Sequence, residues 1–287
     1  MNKRRCVQGL LLALAGVVAV HVSVHGQVPG IAKQYSGGQG VSPVYEGWYR
    51  DGDVLYLSYG YINLNKQQVV SIPVGPDNKV EPGGPDAGQP TTFQLGRQWG
   101  VFSVRVPKEL EQRVKAQKGT IAWTLTLNGQ TFSIPANLNG QYNVNALEDQ
   151  AIGNKPPKVA FAADGPVAVG PFGMRTERAA VAGQPLNLRV YVSDDAIKKV
   201  QERARPGLVV LTWEKFRGNG NVVFSDRQPK PPGIEPGKMV AAETTATFSE
   251  PGRYTLRLNV IDQSQFDNQC CWTNVYVDVN VSAKSQE

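Results

Sequence analysis

Histidine is nearly absent from the sequence: His21 and His25 are the only two in 287 residues. Both fall in a stretch with Lys3, Arg4 and Arg5, an apolar run from Gly9 to Val20, and Val24 and Gly26 at minus-three and minus-one before Gln27. That is the pattern of a cleaved secretory signal peptide over residues 1–26. The mature chain it predicts has no histidine, which excludes Ser-His-Asp and Cys-His nucleophilic sites and His-ligated zinc or haem. Long hydrophobic runs are missing as well. No later segment approaches the ~18 apolar residues of a membrane span, and the leader is too short for one. The sequence therefore predicts an exported, periplasmic or extracellular product with no transmembrane span. Charge is sparse: 30 basic and 24 acidic residues give +6, and loss of the leader's three basic residues leaves 27 against 24, a formal +3. A field that weak, carried by scattered Lys and Arg, argues against a nucleic-acid partner.

Cysteine is scarce too, with three residues. Cys6 precedes the apolar run and does not read as a lipid-attachment site, so export leaves one adjacent pair, Cys270 and Cys271. In an oxidising compartment a vicinal disulfide that stiffens a loop-to-strand junction is the leading reading. Consecutive Cα atoms lie about 3.8 Å apart across a trans peptide, below the usual ~4.4–6.8 Å disulfide window, so such a bond needs a local turn or bulge. Gln265–Gln269, just before the pair, permits one. Separate thiols, intermolecular bonds and a redox or metal role are the alternatives.

What is abundant is period-2 alternation, the signature of half-buried strands. After a Gly-, Ser- and Pro-rich lead-in over 27–43, a first β domain is expected over 44–153. In it Leu55, Leu57, Tyr59 and Tyr61 share one face, opposite Val54, Tyr56, Ser58 and Ile62. Pro76–Phe93 reads as a long loop and Lys108–Gly119 as a short charged helix. Trp99, Val101, Ser103 and Arg105 alternate with Phe102, Val104 and Val106. Asn128-Gly129 between alternating runs predicts a two-residue type I′ hairpin. Residues 154–158 read as a linker. A second domain over 159–283 follows, with a short helical insertion over 195–207 and a tail at 284–287. In its last strand Val275, Val277, Val279 and Val281 oppose Trp272, Asn274 and Tyr276. Tyr254, Leu256, Leu258 and Val260 likewise oppose Thr255, Arg257 and Asn259. The fold class expected is all-β, two β-sandwich-like domains in tandem.

The second half resembles an immunoglobulin-like sandwich of the kind found in polycystic-kidney-disease (PKD) domains. LNLRVYV stands in the place of the B strand, LTWEKF in that of the C strand with Trp213 at its centre, and EPGRYTLRLNVID in that of the F strand. Gly252 and Tyr254 occupy the glycine and tyrosine of the family's tyrosine corner, with Glu250 in place of its aspartate. Leu256 sits where antibody domains carry a cysteine, so the resemblance implies a core without the cross-sheet disulfide. The segments EGWYR, EPGGPDAGQPTTF, GRQWGVFSV, NGQTFSIP, ATFSEPGRYTL and QCCWTN also resemble a group of uncharacterised exported bacterial two-domain proteins, which implies no chemistry.

For function the sequence offers three readings. The leading one is a non-catalytic binding or structural module with a protein or glycan partner at the cell envelope or surface. The second is a carbohydrate-binding module in which Trp48, Tyr49, Tyr59, Tyr61, Trp99 and Trp272 stack sugar rings. Against it stands the expectation that most of these aromatics are core and that Trp272 and Tyr276 pack against the first domain. The third is a hydrolase with a carboxylate pair drawn from Glu46, Asp51 and Asp53. No cofactor is expected beyond calcium on the oxygens of Asp77, Asn78, Glu81 and Asp86 or of Asp194, Asp195 and Asp262, although none has EF-hand spacing.

Overall fold

The structure is a computed structural model that describes residues 36–84, 86–116, 120–150, 153–195, 209–262 and 270–284. The leader, most of the lead-in, the helical insertion and Gln265–Gln269 lie outside the described residues. Residues 34–287 form one compact unit.

The first lobe contains β1 (Val41–Asp51), β2 (Val54–Asn63), β3 (Val70–Ser71), β4 (Asn78–Glu81), β5 (Thr92–Phe93), β6 (Gly96–Val106), α1 (Lys108–Lys115), β7 (Ala122–Leu127) and β8 (Gln130–Pro135). Strand order is β1-β2-β6 in one sheet, β4-β7-β8 in another, and β3-β5 in a short ribbon. Alternation decides the layering: Leu55, Leu57, Tyr59 and Tyr61 all point into one core, against Trp123 and Phe102. The hairpin at Asn128-Gly129 forms as its sequence predicts, both residues having positive φ, 52° and 75°. β1 starts at Val41, so the end of the expected lead-in is already strand. Pro76–Phe93 is likewise more than a loop. It holds β4 and β5 because Val80 and Phe93 are core residues and Asn78 is tied down by both ends of its amide. Its Nδ2 donates to Ile72 O and Pro90 O, and its Oδ1 accepts from Trp123 Nε1.

The second lobe contains β9 (Lys158–Ala160), β10 (Val167–Ala168), β11 (Met174–Val181), β12 (Pro185–Ser193), β13 (Val209–Arg217), β14 (Val222–Phe224), β15 (Val240–Phe248), β16 (Gly252–Asp262) and β17 (Trp272–Ser282). They form two sheets, β10-β9-β12-β15-β14 and β11-β17-β16-β13. The core between the sheets is built from Val190, Val192, Trp213, Leu256, Leu258, Val275 and Val277, among others. The strand matched to B thus lies in one sheet and those matched to C and F in the other, the division found in immunoglobulin-like sandwiches. Tyr254 closes its corner as the resemblance implies, its hydroxyl donating to Glu250 O at 2.8 Å, with Gly252 at φ 148° two residues before it. Leu256 and Trp213 are buried at 0% and 1% exposure, filling the place of the missing cross-sheet disulfide. The architecture is all-β, and no helix among the described residues is long and apolar enough to cross a membrane.

Half-burial is where the sequence pattern misleads. β16 and β17 are covered on both faces. The valine face of β17 looks into the sandwich, while Tyr276 belongs to the core of the first lobe and Trp272 packs with Tyr49, Val144 and Ala146. The segment read as a linker is itself largely buried, Asn154, Pro156 and Pro157 included.

Candidate functional site: the junction between the lobes

The polar centre of the junction is Gly100, on β6. There β6 departs from regular pairing: Tyr59 faces Phe102 but Tyr61 faces Gln98, a bulge that absorbs the residues between. The bulge breaks the expected alternation, so that Val101 and Phe102 are both buried while Trp99 is turned out to solvent. It also frees the Gly100 peptide for contacts outside its sheet. Gly100 N donates to Glu46 Oε2 at 2.9 Å. Gly100 O accepts from Arg257 Nη1 at 2.9 Å and Asn274 Nδ2 at 2.8 Å. Gly100 has φ 54°, in the left-handed region, and a Cβ there would meet Trp272 Nε1 at 2.5 Å.

Arg257 and Glu214 stand side by side on β16 and β13, facing the first lobe. Arg257 Nε donates to Glu214 Oε1 at 2.8 Å, with the two side chains 2% and 3% exposed. The guanidinium also donates to Val101 O at 2.9 Å. Burial is the largest influence and disfavours the arginine charge, but Glu214, Tyr276 and Tyr61 around it together outweigh that and hold the Arg257 pKa above its ordinary value. The contacts of Arg257 with Gly100 O and Val101 O reach the first lobe, while those with Glu214 and Asn274 stay within its own sheet.

On the other side of Gly100 lies a second ion pair. Glu46 accepts from Ser58 Oγ at 3.0 Å and from Arg97 Nη2 at 2.8 Å. Burial raises the Glu46 carboxyl above its ordinary value, with Arg97 opposing the shift. Glu46 therefore serves as a structural acceptor. Asp51 lies five residues further along β1, about 17 Å at the rise of an extended strand, well beyond the ~5–10 Å of a glycosidase pair. The carboxylates of β1 are not brought together as a catalytic couple. Of the oxygen groups proposed for calcium, Asp86 is held in a two-pronged ion pair with Arg217, both contacts 2.8 Å, which bridges the lobes. Asn78 is spent within the first lobe. Among the described residues, no group of three or more His, Cys, Asp or Glu side chains could hold a metal ion.

The aromatics proposed as a sugar platform are mostly core. Tyr59 and Tyr61 are fully buried, and Tyr49 and Trp272 are 2% and 3% exposed, so none offers a ring face to a ligand. The reason is that the face of β1 and β2 opposite the first core is roofed by residues 143–147, Phe172 and Trp272. Trp48 is half-buried, its indole donating to Asn139 O at 3.0 Å. Only Trp99 stands in solvent, 44% exposed, with the Arg97 guanidinium 3.6 Å from its ring centroid. Cys270 and Cys271 are joined as a disulfide across a cis peptide and are buried beside the junction.

Arg257, Glu214 and Gly100 are the residues that sequence reasoning missed. An arginine on an alternating strand reads as solvated, whereas Gly100 inside the run from Gly96 to Val106 carried a local signal, since a glycine within a strand often marks a bulge. No local signal identifies the partner of either.

No protein-family model matches the chain, and no curated protein matches its sequence. Among solved structures, domains 4 and 5 of the S-layer protein SbsC align over 72% of this chain and 77% of theirs at 15% identity, with a TM-score of 0.24. The D00-D0 domain of intimin aligns over 83% of this chain and 98% of its own at 12% identity, TM-score 0.25. A protein of unknown function from Porphyromonas gingivalis W83 aligns over 84% and 99% at 9% identity, also with TM-score 0.25. Likenesses at these scores carry no functional argument for this chain.

Proposed function

We propose that the protein is an exported, non-catalytic binding or structural module of the cell envelope or surface, in which two lobes act as one rigid body toward a protein partner. The observation that supports this reading most is the use of charge at the junction. The Asp86–Arg217 pair links the lobes, and Arg257, paired with Glu214 on its own sheet, donates across the junction to Gly100 O and Val101 O. Domain interfaces within a chain are usually modest and polar, and relative motion is their default. A junction with one lobe-bridging ion pair, buried arginine-to-carbonyl hydrogen bonds and shared core residues opposes that motion. The leader-like residues 1–26 supply the export half of the reading, and the PKD-like pattern agrees with a surface module. Expression of the full chain in a bacterial host followed by fractionation and intact mass measurement tests it. A mature mass starting at Gln27, recovered outside the cytoplasm, is the expected result; a chain that stays cytoplasmic and unprocessed overturns it.

Carbohydrate binding stays as a second reading on one specific observation, the exposed Trp99 ring with Arg97 stacked on it. On a glycan array this reading requires a signal that Trp99→Ala removes. A signal unchanged in that variant, or no signal, rejects it.

A further inference from the structure

The disulfide and the crossover between the lobes shelter each other. The crossover runs over the first lobe, where Val144 N donates to Trp48 O at 2.9 Å. It then turns tightly: Gly153 N donates to Asp149 O at 2.7 Å and Asp149 N to Asn154 O at 2.8 Å. This turn delivers the carbonyl oxygen of Asn154 to the sulfurs, 3.9 Å from Cys270 Sγ and 3.5 Å from Cys271 Sγ. The Asn154 amide donates to Asp262 Oδ2 at 2.7 Å, and Asp262 N donates to Cys271 O at 3.0 Å. One residue of β16 thus holds both the crossover and the cysteine pair. The residue after the pair is Trp272, which packs on Val144 and Ala146, part of that same crossover. The crossover therefore meets the sulfurs at one end, through Asn154 O, and the indole at the other, through Val144 and Ala146. Cys270 and Cys271 are 1% and 0% exposed.

We propose that the crossover, residues 143–150 and 153–154, and the Cys270–Cys271 disulfide form a reciprocal, redox-sensitive lock: the closed crossover shields the disulfide from thiols, and reduction releases the crossover. Reduction by a dithiol balances as follows. One reductant thiolate attacks a cysteine sulfur, the S–S bond breaks, and a mixed disulfide forms. The second reductant thiolate then displaces the cysteine, leaving two protein thiols and a cyclic reductant disulfide, with two electrons and two protons transferred to the protein. The attack needs access to a sulfur, and a sulfur with no exposed surface offers none until the crossover lifts. Once reduced, two thiols no longer held by a bond need more room than the pair they replace. Close-packed interiors do not supply it without a shift of the covering chain.

The test uses the full, oxidised protein and dithiothreitol as the reductant, with alkylation and mass measurement of quenched samples. Reduction of the native protein should be at least about 100-fold slower than in denaturant, as expected where a sub-global opening limits access. Asn154→Ala should speed native reduction by about 10-fold with the circular dichroism unchanged, because the crossover loses its tie to Asp262. Hydrogen exchange compared between oxidised and reduced wild type needs no variant. Residues 143–150 and 153–154 should exchange about 10-fold faster after reduction, while the hairpin of β7 and β8 stays unchanged. Native reduction as fast as in denaturant, a folded Asn154→Ala that reduces at the wild-type rate, or equal exchange of the crossover in both redox states overturns the proposal. So does a native protein that alkylates on both cysteines without reductant.

Discussion

Arg257 and Glu214 form a pair whose value lies in its completeness. Taking two charges out of water is costly, and their mutual attraction offsets the cost only when the remaining donors also find partners. Here Gly100 O and Val101 O supply those partners. Arg257→Met should remove the cation, strand the Glu214 carboxylate in a dry junction, and lower stability by about 3–5 kcal/mol. Adding Glu214→Leu should recover most of that loss, since a well-packed apolar pair of similar volume is often neutral or better. Urea denaturation of the wild type, both single variants and the double variant checks this as a double-mutant cycle. Additive losses in the double variant would mean that the two side chains do not act as a pair. At the same scale, Tyr254 was legible in advance because its hydroxyl answers to the backbone of its own turn, four residues back. Arg257 was not, because its carbonyl partners lie more than 150 positions away in sequence.

The bulge on β6 is the element on which the junction turns. A regular strand would have pointed Trp99 and Val101 to one face and kept the Gly100 peptide inside the ladder. The bulge instead exposes Trp99, buries Val101 and Phe102 together, and aims the Gly100 amide at Glu46 and its carbonyl at Arg257. Gly100→Ala meets two obstacles, a left-handed φ of 54° and the Trp272 ring against the added methyl. It should cost roughly 2–4 kcal/mol, the sum of backbone strain and overpacking. That corresponds to a fall in Tm of about 5–15 °C in a body of this size. A thermal scan showing Gly100→Ala within a degree of wild type would remove the bulge from its place at the centre of the junction. Other elements follow directly from their residues. The Asn128-Gly129 hairpin and the strands carrying the core valines could be read without a partner, because turn geometry and pleat period are local properties.

For the whole molecule, the question is what holds two lobes as one body across conditions. Asp86, clasped by Arg217, has its carboxyl held below the ordinary value of 3.8, chiefly by the hydrogen bonds from Arg217. A carboxylate whose folded pKa is depressed contributes stability above its unfolded pKa and loses it as pH falls through the folded one. The stability difference between wild type and Asp86→Asn should therefore be present from neutral pH down to about 4. It should shrink as pH falls further, through the lowered folded value, as measured by urea unfolding at each pH. A difference constant with pH would mean that the clasp adds nothing through its charge.

The sequence by itself determined the all-β class, the hairpin, the division of valines and aromatics on β17, and the adjacency of two cysteines. Each follows from spacing along one strand or turn. Only the tertiary structure decided that both faces of β16 and β17 are covered, that Tyr49, Tyr59, Tyr61 and Trp272 are core and leave Trp99 as the exposed ring, and that the crossover lies over the disulfide. The physical reason is that a period-2 pattern tells which side chains share a face. It does not tell what covers that face when the cover comes from far away in sequence and is polar. Arginine, asparagine and a bulged glycine can build a dry junction only together, and no one of them announces it alone.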